Sequence, residues 1–269
     1  MTLFFKKNPQ LYQLFWYLVQ FGFKNLFPLI TLPIFTRYIS LSEFGLYALA
    51  IFYAVIATGV INLGLSSIFE RNFFEKNPFE RKQLLWNIFF VVTIMFFVFV
   101  IITIELKHII SIGIFNNHKL EKYLLIALCF QTFKSFNIYF LKYLKNYQSA
   151  QMFAYISIFE SFASICLALV LVVFYSMNLY GFILGQALGT FITFSFLFCI
   201  TFFPFKYNIN YSLITDNLRL SLPLTPRIFF GAINSQFDRF MLGLLNSLGG
   251  VGLYDIGQKI ANISFTYMT

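Results

Sequence analysis

Charge is scarce in this chain: 11% of its 269 residues are Asp, Glu, Lys or Arg, whereas a soluble domain carries about 25%. So little charge cannot cover a water-facing surface, and a lipid-facing exterior removes the difficulty. Cysteine is nearly absent. Cys129, Cys166 and Cys199 lie far apart inside apolar blocks with no histidine beside them, which argues against a disulfide or metal framework and for small buried apolar residues. Histidine is scarcer still. His108 and His118 sit in or beside one short loop with no Asp nearby, so no general acid-base pair is in view and both read as solvated loop residues. Also missing are a polar loop large enough for a folded catalytic module, a repeated pore-lining or filter motif, and a clustered basic face of the kind that binds nucleic acid. No small-residue cleavage site follows Met1 to Lys7, and the apolar block behind them is too long for a secretory h-region. That block reads as an uncleaved first span.

What is present is apolar length. The composition is 59% hydrophobic, and Phe alone supplies 40 residues, partly as lipid-facing bulk and partly as the mark of an AT-rich genome. A span needs about 20 apolar residues. Eight blocks qualify: 11–37, 44–69, 84–104, 123–144, 152–174, 179–203, 220–245 and 252–269, of which 84–104 and 179–203 hold no charge at all. With the N-terminus inside, the inner segments hold Lys6, Lys7, Arg71, Lys76, Arg81, Lys82, Lys142, Lys145, Lys206 and Arg219. The outer segments hold only Arg37, Lys107, Lys119 and Lys122. Positive charge favours the cytoplasmic side, so a net charge of +9 reads as topology. The expected fold is all-α: a polytopic membrane helix bundle of about eight transmembrane helices.

Three features bear on packing and function. Gly181, Gly185 and Gly189 form a small-residue row on one face of the sixth span, which lets a neighbouring helix approach closely. Pro28 and Pro33 fall inside the first span, where proline removes a backbone hydrogen bond, whereas Pro223 and Pro226 can be first-turn prolines of the seventh. Ionisable residues inside the membrane are functional-site candidates by default. Lys24 lies about 20 Å into the first span at 1.5 Å per residue. Lys134 and Glu160 are near the middle of the fourth and fifth, and Arg227, Asp238 and Arg239 lie in the seventh. At 100° per residue, Gln131, Lys134, Ser135, Lys142, Lys145, Asn146 and Ser149 fall on one polar, cationic stripe of the fourth span. Either this stripe is one wall of a wet cavity attractive to phosphate, or Lys142 and Lys145 snorkel to the interface and only Gln131 and Lys134 are inside. Glu160 has three readings: an ion pair with Lys24 or Lys134, a neutral acid, or a proton or sodium coupling site. Asp238 and Arg239 are adjacent, so they point about 100° apart and read equally as a structural anchor or a substrate contact.

The segment 32–47 (LPIFTRYISLSEFGLY) and the following 62–67 (NLGLSS) resemble the start of the polysaccharide-biosynthesis flippases, O-antigen flippases among them. Residues 222–224, 237–243, 251–254 and 258–260 resemble the same family's seventh and eighth spans. The resemblance places the chain in the multidrug/oligosaccharidyl-lipid/polysaccharide exporter superfamily. It implies two six-helix lobes around a central cavity, alternating access, and an undecaprenyl-diphosphate-linked oligosaccharide as substrate in the bacterial cytoplasmic membrane. By the same resemblance Arg37, Asp238 and Arg239 match family positions. Lys24, Lys134, Glu160 and Arg227 are cavity candidates from depth and periodicity. The working assignment is Lys24, Arg37, Lys134, Arg227 and Arg239 as cations for the substrate, and Glu160 and Asp238 as carboxylates for coupling to H+ or Na+, with no cofactor and no metal.

The repeat implied by two lobes has a faint trace. Gly45-Leu46-Tyr47 and Gly252-Leu253-Tyr254 lie 207 residues apart, and Ala54/Ala261 and Ile56/Ile263 keep the register. On that period residues 1–205 form the first lobe and 206–269 begin a second, which would run to about residue 420. The expectation is therefore a fragment or an interrupted gene product. Two other functions stand beside transport of lipid-linked sugars. One is a membrane-embedded polymerase or acyltransferase of the same pathway, for which no paired catalytic residues are visible. The other is a drug or small-metabolite exporter of the same superfamily, against which the cationic stripe weighs.

Overall fold

The computed structural model describes residues 9–115, 117–147, 149–203, 207–245 and 248–266. Lys6, Lys7 and Lys206 of the inner charges, the segment from Met1 to Lys7 and the last residues of the eighth block lie outside them. The described residues form helices and connecting turns, with no strand among them.

The first helix, α1 (Pro9–Tyr38), carries Pro28 and Pro33 inside its run. Thr31 Oγ1 donates to the carbonyls of Phe27 and Pro28 at 3.1 Å each, and Thr36 Oγ1 to that of Pro33. Hydroxyls thus occupy carbonyls near the backbone bonds that the prolines remove. Ser40 opens α2 (Leu41–Ile61) with a capping box: Ser40 Oγ accepts from Glu43 N, and Glu43 Oε2 accepts from Ser40 N at 2.8 Å. The single span expected over 44–69 proves to be two helices. The first ends at Asn62, Leu63 and Gly64 take positive φ values of 46° and 72°, and a separate helix α3 (Leu65–Phe73) follows. A turn built from Leu and Gly leaves no mark in an apolarity profile. α3 buries Leu65, Ile68, Phe69 and Phe73, one face at helical spacing.

Asn77 and Glu80 form a second capping box and Pro78 takes the first position of α4 (Pro78–Ile109), which continues as a wide π-helical turn over Ile110–Ile114. After a short 3-10 turn at His118–Leu120 come α5 (Glu121–Asn146), α6 (Ala150–Leu169, continued by a π-turn at Val170–Phe174) and α7 (Asn178–Phe202). The seventh block, expected from residue 220, divides. An amphipathic helix α8 (Tyr211–Ser221), capped by the Asn210 side chain, leads through a 3-10 turn at Leu222–Leu224 into α9 (Thr225–Leu245). Pro223 lies in that turn and Pro226 in the first turn of α9, as their spacing allowed. The last helix is α10 (Leu248–Thr266).

Among the described residues six helices are long and apolar enough to cross a membrane: Leu11–Tyr38, Leu41–Ile61, Pro78–Gly113, His118–Asn146, Ala150–Phe174 and Asn178–Phe202. α9 and α10 stand where the seventh and eighth spans were expected, with more polar residues in their runs. Large apolar side chains such as Ile30, Phe97, Ile101 and Ile200 point outward from the six, which suits lipid and not water. The chain is an all-α, multi-pass membrane bundle. Packing runs from α1 to α6, α6 to α7, α7 to α5, α5 to α2, and α2 to both α9 and α10. The glycine row behaves as its spacing suggests. A Cβ on Gly185 would lie 2.3 Å from Ala168 N and one on Gly189 2.4 Å from Ser164 Cα, so α6 and α7 touch backbone to backbone. Phenylalanine fills the opposite side. Phe89 meets Phe194 at 5.7 Å and Phe136 at 5.0 Å, and Phe202 packs on Trp86 at 4.8 Å.

Candidate functional site

A cavity of about 260 Å³ opens between α1, α2, α5, α6, α7 and α10. Its exposed wall surface is mostly apolar, with Phe35, Phe130, Phe182 and Ile165 contributing, and polar side chains are set among them. Lys24 enters from α1, Lys134 from α5, Glu160 from α6 and Lys259 from α10. Three cations and one carboxylate therefore face one small volume inside an apolar bundle, where each charge interacts more strongly than in water.

The buried carboxylate is held by an amide. Asn137 Nδ2 donates to Glu160 Oε1 at 2.9 Å and to the Thr190 carbonyl at 3.1 Å, tying α5, α6 and α7 at one point. Among the described residues Glu160 makes no direct ion pair with Lys24 or Lys134, and its hydrogen-bond partner is the Asn137 amide. Lys134 sits 5.7 Å from the Phe130 ring centroid. Tyr47 donates its hydroxyl to Gln186 Oε1 at 3.3 Å across the cavity wall. Ser164 Oγ, also on the wall, is buried without a hydrogen-bond partner.

Lys259 is the charged residue of the cavity wall to which sequence reasoning assigned no role. Its Nζ lies 2.7 Å from Asp255 Oδ2, and 4.8 Å and 5.7 Å from the ring centroids of Tyr47 and Phe44. Asp255, 1% exposed, also receives Arg239 Nη2 at 3.0 Å through Oδ1. Arg239 Nη2 donates further to Gln258 Oε1 at 2.9 Å. One carboxylate thus serves two cations, one turned into α9–α10 packing and one turned into the cavity. The available signal was the Asp255–Lys259 spacing of four inside an apolar run.

The remaining assignments separate. Arg37 and Arg227 are exposed at the end of α1 and the start of α9, and neither lines the cavity. Arg239 is engaged by Asp255, and Asp238 accepts from Tyr254 Oη at 2.8 Å on the outer side of α9. The pair Asp238–Arg239 therefore anchors α9 to α10. The cationic stripe of α5 also divides. Lys134 alone of its members lines the cavity. Ser135 accepts from Asn62 Nδ2 at 2.9 Å, and Lys142 pairs with Glu70 of α3 at 3.2 Å. These two contacts fasten α5 to the end of α2 and to α3.

No curated protein and no solved structure matches the chain. The profile of one family, described as "Polysaccharide biosynthesis protein", matches residues 11–267. That match spans the helices that build the cavity, and this multi-pass membrane chain belongs to the polysaccharide biosynthesis protein family.

Proposed function

We propose that the chain is a flippase component that carries undecaprenyl-diphosphate-linked oligosaccharides across the bacterial cytoplasmic membrane by alternating access, N-terminus inside. The observation that carries this reading is the convergence of Lys24, Lys134 and Lys259 on one apolar-walled cavity. An ammonium is a compact point charge with rotatable donors, suited to a diphosphate that must be released again. With Asp255 already shared by Lys259 and Arg239, the four cations still outnumber the two carboxylates, Glu160 and Asp255, and leave an excess of positive charge for an anionic head group. The lipid tail needs no pocket, because the bilayer itself is its solvent.

Alternating access needs two bodies that rock about a shared site. Lys259 supports this, since it reaches the cavity from α10, in the part of the chain expected to open a second lobe. Glu160 is the candidate for H+ or Na+ coupling: a carboxyl bonded to an amide, with no cation in direct contact, changes its charge more readily than one in a tight ion pair. A transport role fits these features better than enzymology, because among the described residues the cavity brings together cations and apolar walls, with neither histidine nor cysteine between them.

The test is retention of lipid. The chain in nanodiscs is exposed to undecaprenyl diphosphate and undecaprenol, and bound lipid is read by native mass spectrometry. The diphosphate should be retained over the alcohol, and Lys24→Ala, Lys134→Ala and Lys259→Ala should each weaken that preference. Equal retention of both lipids by the unaltered chain would overturn the reading.

A further inference from the structure

We infer that His108, His118 and Glu121 form a binding site for a divalent transition-metal ion of the zinc type, at the end of the bundle where α4 passes into α5 and apart from the cavity. In the sequence these are two solvated loop histidines and a glutamate with no evident role. The fold turns all three donor atoms toward one point: His108 Nδ1 lies 2.9 Å from Glu121 Oε1 and His118 Nδ1 3.6 Å from the same oxygen. The three donors lie within 4.8 Å of one another, and the two imidazole centroids are 5.6 Å apart.

Two of those spacings already suit an ion, and rotation of the two exposed imidazoles brings their nitrogens onto the same centre. A tetrahedral zinc about 2.0–2.1 Å from each donor holds its ligands about 3.3 Å apart, and 2.9 Å and 3.6 Å bracket that separation. Two imidazole nitrogens and one carboxylate oxygen are a ligand set for zinc or a neighbouring first-row ion, whereas calcium and magnesium require oxygen shells. Both histidine side chains remain largely open to solvent, at 64% and 75% exposure, so water can complete the shell.

The donors stand on ordered backbone. His108 is in the last turn of α4 and Glu121 in the first turn of α5. The turn carrying His118 is pinned on both sides: Asn117 N donates to the Ser111 carbonyl at 3.0 Å, Asn117 Oδ1 accepts from Lys119 N at 2.9 Å, and Leu120 is fully buried. The backbone that carries the donors is held before loading, and ordering on binding falls to the two imidazole side chains. Its loop also bears on the rest of the bundle, because Phe115 packs against Phe52 of α2 and Phe240 of α9, each at 6.0 Å. A bound ion would join the ends of α4 and α5 on either side of that contact in the chain.

The experiment uses the whole chain in nanodiscs, purified on a tag without histidine, stripped with EDTA and titrated with Zn2+ against a chromogenic competitor. About one ion per chain should bind. His108→Ala and His118→Ala should each weaken binding by more than about 100-fold, beyond the 10–100-fold cost of losing an outer-shell partner. His118→Cys should keep the site, and with Co2+ it should add a thiolate-to-metal charge-transfer band that the unaltered chain lacks. Absence of saturable binding in the unaltered chain would overturn the proposal, as would equal binding after both alanine substitutions. So would a His118→Cys variant that binds Co2+ without the band.

Discussion

Gly45 and Gly252 stand against each other where α2 crosses α10: a Cβ on Gly252 would lie 3.0 Å from Gly45 N and 2.0 Å from Leu41 O, and one on Gly45 would lie 2.0 Å from Leu248 O. The contact is reciprocal. Each glycine meets the carbonyl four residues before the other, and Leu41 and Leu248 are themselves separated by the 207 residues of the faint internal repeat. A self-complementary contact between two like segments is the geometry of a two-fold axis.

Gly45→Ala and Gly252→Ala should therefore each force the helices apart. Backbone atoms cannot yield as side chains do, so each should cost at least about 1–3 kcal/mol, the usual range for overpacking. Thermal unfolding in detergent reads the loss. Unchanged midpoints in both variants would mean that the helices do not meet at these residues.

The α6–α7 contact offers an internal control. Gly185→Leu and Gly189→Leu should fail to accumulate in the membrane, because the added side chains fall on the backbone of Leu167 and Ala168 and on that of Ser164. Gly22→Ala and Gly231→Ala meet nothing within 4 Å and should be neutral or raise stability by about 0.5–1 kcal/mol, as helix-interior glycine replacement does. Immunoblotting of membrane fractions separates the two classes.

Asp255→Ala should be among the most damaging single changes. It removes the partner of Arg239 and Lys259 together, and breaking a buried pair costs about 3–5 kcal/mol. Arg239→Gln should be milder, since Lys259 remains to balance Asp255. A chain that tolerates Asp255→Ala with an unchanged unfolding midpoint would contradict the network.

Glu160→Gln keeps an oxygen for Asn137 and removes the charge, whereas Glu160→Ala removes both. If Glu160 carries the coupling ion, the glutamine variant should fold normally yet lose the dependence of transport on a proton or sodium gradient. The alanine variant should also lose stability. Transport assays with and without an ionophore, paired with thermal unfolding, distinguish the effects.

In a host deprived of its own flippase, surface polysaccharide should fall with Lys24→Ala, Lys134→Ala and Lys259→Ala and persist with Arg37→Ala and Arg227→Ala. The division follows from which cations line the cavity. Loss in the second group alone would place the substrate path elsewhere.

Much of this was legible from residues alone. Hydrophobic length located the six helices long and apolar enough to cross, together with two further blocks, 220–245 and 252–269, whose described helices are not among those six, and depth within a block selected Lys24, Lys134 and Glu160, which the fold brings into one cavity. The glycine row of α7 was readable because small residues at a spacing of four have a direct physical meaning. Other features depend on how distant segments meet. Lys259 acquires its place only because α10 crosses α2, and Asp255 draws notice only once two cations are found on it. His108 and His118 become a pair through a turn whose geometry depends on Ser111 and Asn117. The break after Asn62 was hidden because Leu63 and Gly64 interrupt a helix without interrupting its apolar character.

The phenylalanine-filled side carries one more implication. Rings there meet at angles from 22° for Phe89 with Phe194 to 78° for Trp86 with Phe202, and dispersion between such surfaces asks for proximity but not for one alignment. Ring contacts on that flank set few demands on mutual angle, while the glycine crossings bring backbone against backbone and admit no added atom. Geometric constraint is thus unevenly distributed: substitutions among the rings should be absorbed more easily than any side chain added at the glycine crossings.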